Sequence, residues 1–155
     1  MVTGYNITGN AAGDYCGWSV RTAGDINNDG YDDIIVGARE KNNQHGAAYV
    51  IYGGEKSAMS NIVLSSTALI PASTGFMITG NAAGDWFGVS VNTAGDINND
   101  EYDDIIVGAW GKNTYQGAPY VIYGGAKLQC RISLSIPQRL IPTSTGFTIT
   151  LKCCW

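Results

Sequence analysis

The residues best suited to chemistry in this 155-residue chain are two short runs of acids and amides. The first reads Asp25-Ile26-Asn27-Asn28-Asp29-Gly30-Tyr31-Asp32-Asp33. Counting from Asp25, side-chain oxygens fall at the first, third, fifth and ninth places (Asp25, Asn27, Asp29, Asp33), and Tyr31 at the seventh offers a backbone carbonyl. A tightly turning loop points alternate residues at a common centre, where a hard cation such as calcium collects six to eight oxygens at about 2.3–2.6 Å. Gly30 suits the positive φ of a sharp bend at the sixth place, and Asp33 is placed to close the shell bidentately. The second run carries Asp96, Asn98, Asp100, Tyr102 and Asp104 in the same order. Glu101 replaces the glycine there, so this second Ca2+ site is expected to be weaker or to turn differently. Asp32 and Asp103, at the eighth place, are expected to face solvent.

Of the 13 acidic residues, nine fall in these two runs, and the chain carries a formal charge of −4. Like charges packed so densely repel unless solvent or a cation compensates them. An EF-hand is excluded because Ile34-Ile35-Val36-Gly37 reads as a strand and Val36 stands where an acid would close the loop. Asp, Asn and Gly also make good turns without any metal. The two flanked, charge-dense copies favour the metal reading.

An internal repeat positions these loops. Ile7–Asp14 recurs letter for letter at Ile78–Asp85, and Thr22–Ala38 recurs at Thr93–Ala109 with Gly30 changed to Glu101. The offset is 71 residues, as from Asp25 to Asp96. Tyr5, Phe76 and Phe147 open three registers, the last broken off by Leu151-Lys-Cys-Cys-Trp155. Within one period, strands are predicted at Phe76–Thr79, Phe87–Thr93, Ile105–Ala109 and Ala118–Tyr123, with turn-rich loops between them. Four strands repeating at this interval read as propeller blades. The first repeat is assigned to 1–80 (with a strand of a preceding blade at 4–8), the second to 81–150, and a divergent tail to 151–155. The linkers Glu55–Ser73 and Ala126–Ser144 are expected along the outer edge.

Composition agrees with an all-β chain: 21 glycines, 14% charged residues and no amphipathic helical pattern. No basic face exists for nucleic acid, and no apolar run is long enough for a membrane span. The N-terminus does not read as a signal peptide. Cys130, Cys153 and Cys154 crowd the C-terminal end, unlike a disulfide framework or a zinc site. Asn6-Ile7-Thr8 is an N-glycosylation sequon, meaningful in a secreted eukaryotic chain.

Phe87-Gly88, the acidic loop, and Gly108-Ala109-Trp110 follow one another in the order of FG-GAP repeats, and the chain resembles that family, the blade unit of the integrin-α head. In the first repeat Cys16-Gly17 replaces the opening pair, and Gly37-Ala38-Arg39 lacks the family's proline, as does its second copy. The resemblance implies two four-stranded FG-GAP blades of an incomplete, normally seven-bladed β-propeller. Calcium loops would then lie on one face and ligand-binding loops on the other. The loops on that other face are Arg39–Gly46 and Trp110–Gly117, with Arg39, His45, Trp110 and Tyr115 as candidate ligand contacts. An extracellular or cell-surface adhesion module with a protein or glycan ligand follows.

Catalysis is not expected: His45 is the sole histidine and no nucleophile elbow is present. The alternatives are an accessory propeller segment of a secreted hydrolase or lyase, or a structural repeat. Two blades alone would expose apolar flanks, so further propeller blades or self-association are expected as partners.

Overall fold

In a computed structural model, described for residues 4–55, 60–64 and 73–126 and for the backbone of one strand beyond them, short strands alternate with tight turns. The strands are β1 (Ile7–Thr8), β2 (Cys16–Gly24), β3 (Asp33–Ala38), β4 (Ala47–Ile51) and β5 (Ile62–Val63). They continue as β6 (Gly75–Thr79), β7 (Phe87–Gly95), β8 (Asp104–Ala109), β9 (Ala118–Ile122) and β10 (Ile132–Ser133). Single helical turns, α1 (Lys41–Gln44) and α2 (Lys112–Tyr115), join β3 to β4 and β8 to β9. Asn42, Asn43, Asn113 and Thr114 have left-handed φ and ψ, so these turns are reversals and not α-helical segments.

All four strands predicted for a period are present, but they do not share one sheet. Gly75–Thr79 pairs antiparallel with β4, from Ala47↔Thr79 to Ile51↔Gly75. The first blade therefore runs β2-β3-β4-β6, with β10 added in parallel outside β6. Each repeat of sequence straddles two blades, its opening strand closing the sheet before it. The second blade shows β7-β8-β9 among the described residues. Phe147 and its neighbours, which correspond to β6, lie outside them, as do the C-terminal cysteines. The expected outer-edge course of the linkers is met where it can be seen: β10 borders β6, and β5 pairs in parallel with β1.

Both faces of the first blade are apolar because its strands alternate between two destinations. One face supplies Ile35, Val50, Phe76 and Ile78, which join Phe87, Val91, Ile105 and Val107 of the second blade in a shared core. The other supplies Val36, Tyr49, Ile51 and Met77, covered by Leu64 with Ile7 and Ile62. Successive blades thus stack face to face.

The second blade approaches the first closely at a bulge in β7. Gly88, at φ 84°, sits in the register break between Phe87 and Ser90, and a Cβ there would lie 2.2 Å from the Ala47 carbonyl oxygen. Only glycine satisfies both the left-handed backbone and that contact.

Pro119 occupies the place of Ala48 in β9. Gly80 donates to the Gly46 carbonyl and Tyr52 to that of Thr74, so the even-numbered residues of β4 face β6. By the repeat, Pro119 faces the outer edge of β9, where its missing N–H takes no hydrogen bond from β8.

Candidate metal centre

Each acidic run is the turn of a hairpin, closed by Gly24↔Asp33 between β2 and β3 and by Gly95↔Asp104 between β7 and β8. In the first, the Asp29 N–H is shared by Asp25 Oδ1 and Asn27 Oδ1, both at 2.9 Å. Gly30 donates to Asp25 Oδ2 (2.8 Å) and Tyr31 to Asp29 Oδ1 (3.0 Å). These bonds hold Asp25, Asn27 and Asp29 over one turn of backbone. Asp33, buried, is anchored differently: Oδ2 accepts the Ile26 N–H (3.0 Å) and Oδ1 the Gly53 N–H (2.8 Å). Burial pushes its carboxyl up to about 6; those two amides pull it back, while Asp29 and Asp25 add to the rise.

Among the described residues, no three Asp, Glu, His or Cys side chains are gathered closely enough to hold a metal ion. A shell at either loop would therefore draw on Asn27 or Asn98 and on backbone carbonyls as well. The donor chemistry fits a hard cation: all are oxygens, each carboxylate oxygen has a second lone pair, and none of the described ion pairs involves a loop acid.

The second loop reproduces the first. Asp100 N–H is shared by Asp96 Oδ1 (3.0 Å) and Asn98 Oδ1 (3.1 Å), Glu101 donates to Asp96 Oδ2 (2.9 Å), and Tyr102 to Asp100 Oδ1 (3.1 Å). Asp104 accepts from Ile97 (3.1 Å) and Gly124 (2.9 Å). Asn98 Nδ2 adds a bond to Asp100 Oδ2 at 2.8 Å. The turn is kept with Glu101 at φ 74°, in the left-handed region that Gly30 occupies at φ 90°. A side chain there costs about 1–2 kcal/mol. Glu101→Gly is expected to raise the unfolding free energy by about 1 kcal/mol and the midpoint by roughly 2–4 °C in chelator. An unchanged melting curve would mean the glutamate bears no strain.

Asp103 departs from expectation. Its Oδ2 accepts the Asp25 N–H at 2.8 Å, its own N–H donates to the Asp25 carbonyl (3.2 Å), and Gly125 donates to the Ile26 carbonyl (2.9 Å). The eighth place of the second loop thus clips it to the first loop across the blade seam. Asp32, its counterpart, is exposed as expected.

At the opposite end of the same hairpins lie the candidate ligand contacts. In the second repeat Trp110 stacks on Trp86, with ring centres 5.0 Å apart and 12° between planes, and Tyr115 leans on both at 5.3 and 5.9 Å. Trp110 and Tyr115 are more than half exposed. Trp86 was not singled out from the sequence, although it directly precedes the Phe87-Gly88 pair. Its indole Nε1 is buried without a hydrogen-bond partner, an arrangement that costs stability.

In the first repeat Arg39 replaces Trp110 and lies over Trp18 (3.7 Å) and Tyr15 (5.7 Å), with Glu40 3.4 Å away. His45 serves the seam: its carbonyl accepts the Phe87 N–H at 3.1 Å, and its Nδ1 pairs with the Asn42 carbonyl. Arg39 and His45 are thus engaged within the chain, whereas Trp110 and Tyr115 present an open aromatic surface.

A salt bridge recurs beneath these loops. Lys41 Nζ meets Asp14 Oδ2 at 3.1 Å, and Lys112 Nζ meets Asp85 Oδ2 at 3.0 Å. Lys41 is fully buried.

Comparison with known proteins agrees with this architecture. The model described as "FG-GAP repeat" matches residues 17–51 and 87–122, one stretch in each blade. Integrin alpha pat-2 of Caenorhabditis briggsae is 38% identical over 125 residues, covering 72% of this chain and 9% of that protein. Integrin alpha-2 of Mus musculus is 32% identical over 151 residues, 96% of this chain and 11% of that protein. Integrin alpha-5 of Xenopus laevis is 28% identical over 140 residues, 88% of this chain and 13% of that protein. The chain spans only about a tenth of the length of these relatives. With the repeat matched in both blades, the chain is an FG-GAP repeat protein that resembles the integrin α-chain β-propeller.

Proposed function

We propose that each acidic hairpin binds one calcium ion and that the blade pair serves extracellular or cell-surface binding, not catalysis. The observation that carries this reading is the duplicated bond network, in which one amide gathers the oxygens of Asp25 and Asn27, and another those of Asp96 and Asn98. Asp25, Asn27, Asp29, the Tyr31 carbonyl and Asp33 would hold the first ion; Asp96, Asn98, Asp100, the Tyr102 carbonyl and Asp104 the second. When bound, the ion neutralises the clustered carboxylates and stiffens a loop that also holds the neighbouring blade through Asp25 and Ile26.

The ligand surface is the open aromatic cluster at the far end of the β7–β8 hairpin. Six residues of β8 at about 3.3 Å each separate it from the acidic turn by about 20 Å. Rigid aromatic rings with exposed edges suit a protein or glycan partner. Equilibrium dialysis tests the metal part: about two calcium ions per chain are expected, falling to about one in the Asp25→Ala/Asp29→Ala variant. No retained calcium at millimolar concentration would refute it.

A further inference from the structure

The two outward faces of this molecule, one open among the described residues and one partly covered by Ile7, Ile62 and Leu64, repeat residues of the two faces that meet at its centre. In the central seam the first blade contributes Ala23, Ile26, Ile35, Val50 and Tyr52. Their counterparts 71 residues on are Ala94, Ile97, Ile106, Val121 and Tyr123, identical at these five places, while Pro119 stands for Ala48. Ile26 and Tyr52 are 0% and 7% exposed, whereas Ile97 and Tyr123 are 54% and 51% exposed. The second blade contributes Phe87, Val91, Ile105, Val107 and Ile122. Counterparts on the outward face of the first blade are Cys16, Val20, Ile34, Val36 and Ile51, differing in character only at Cys16. Val91 is 6% exposed and Val20 45%.

The polar fittings of the seam are duplicated too. Ser19 Oγ donates to the Gly88 carbonyl at 2.9 Å, and Asp103 accepts from the Asp25 amide at 2.8 Å. The counterparts that would repeat these bonds, Ser90 with Gly17 and Asp32 with Asp96, sit on opposite open faces, and Ser90 and Asp32 are exposed. The strands agree. β1 corresponds to β6, and Ile7 packs on the outward face of the first blade as Ile78 does on the seam face of the second. β1 therefore already stands where the outer strand of a preceding blade would lie, and β9 lacks such a strand among the described residues.

We infer that a second copy of this chain docks head to tail, laying the exposed face of its second blade (Ile97, Val121, Tyr123) on the accessible part of the outward face of the first (Cys16, Val20, Ile34). The contact extends the interface between the two blades, reusing its residues at the same offset. Because the two patches differ, the contact is heterologous and leaves one patch free at each end to add further copies.

Light scattering after size-exclusion chromatography, over a wide range of concentrations, tests this with the intact chain. The wild type should grow beyond monomer mass as concentration rises. Val20→Asp and Tyr123→Asp, both at positions exposed in the single chain, should each leave a folded monomer by circular dichroism. Mixed together, the two should form a 1:1 dimer, because each retains the patch the other lacks. Asp32→Asn, a milder change, should weaken association about tenfold through one lost charged hydrogen bond.

A wild type of monomer mass at every concentration would overturn the inference, the faces then being left to another part of a longer chain. So would assembly that survives either aspartate substitution, a mixture of folded variants that stays monomeric, or an Asp32→Asn chain that associates as tightly as the wild type.

Discussion

Truncating Phe87 to alanine is expected to lower the unfolding free energy by about 3–5 kcal/mol, the usual loss for a buried phenylalanine. The ring is fully buried in the core shared by the two blades, tilted against Tyr120 at 5.6 Å. Its backbone fixes the seam as well, donating to the His45 carbonyl at 3.1 Å and bridging in parallel to Gly46. A Cβ added at Gly46 would lie 2.1 Å from the Phe87 carbonyl oxygen, so the neighbouring backbone has no room to slide into the vacated space. Cys16, the same position in the first repeat, is only partly buried, so Cys16→Ala is expected to cost far less. Urea titration of both variants checks the contrast. A Phe87→Ala loss below about 1 kcal/mol would mean that the blades do not share a core.

Removing Asp14 is expected to cost a similar amount for an electrostatic reason. Lys41 is 1% exposed and its ammonium meets Asp14 at 3.1 Å. Burial pulls the lysine pKa down, but the Tyr49 hydroxyl and Asp14 more than offset it, leaving the group above its ordinary 10.5. The stabilisation from this environment is therefore complete below about pH 10.5 and is lost only as the pH rises through the higher folded value. In Asp14→Ala a buried charge loses its carboxylate partner, at a cost of about 3–5 kcal/mol. With only Tyr49 left to offset burial, the folded pKa falls, and the deficit shrinks as the pH rises through that lowered value. The double variant Asp14→Leu/Lys41→Met should recover most of the loss, since an apolar pair often replaces a buried ion pair without penalty. Denaturation at pH 7 and pH 9.5 measures both effects. An Asp14→Ala chain as stable as the wild type would show that Lys41 does not depend on the pair.

The strands themselves were legible because local signals agree: apolar runs such as Ile105-Ile106-Val107, bounded by an Asx-rich loop and a Gly-containing turn, leave few alternatives. The acidic loops were legible for the same reason, their spacing being a property of a single turn. Partnership across the blades was not. The bound at residue 80 leaves Gly75–Thr79 with the first repeat, but that it closes the first sheet against β4 is seen only in the pairing. Asp103 reads as a solvent carboxylate because its partner, the Asp25 amide, is 78 residues away in sequence. Lys41, in a polar stretch between two asparagines and a glutamate, gives no sign that it is buried. Trp86 was overlooked because its neighbours Trp110 and Tyr115 belong to a different loop, brought together by the left-handed turn of α2.

The calcium reading can be put to one decisive measurement, the thermal midpoint of the intact chain in chelator and in millimolar calcium. An ion that binds only the folded state stabilises it by about 2.7 kcal/mol per site at a hundredfold excess over Kd. The expected rise in midpoint is roughly 5–10 °C for one such site, and larger for two. Coincident melting curves in chelator and calcium would contradict the assignment of Asp25–Asp33 and Asp96–Asp104 as cation loops, and would leave them as turns held by their own hydrogen bonds.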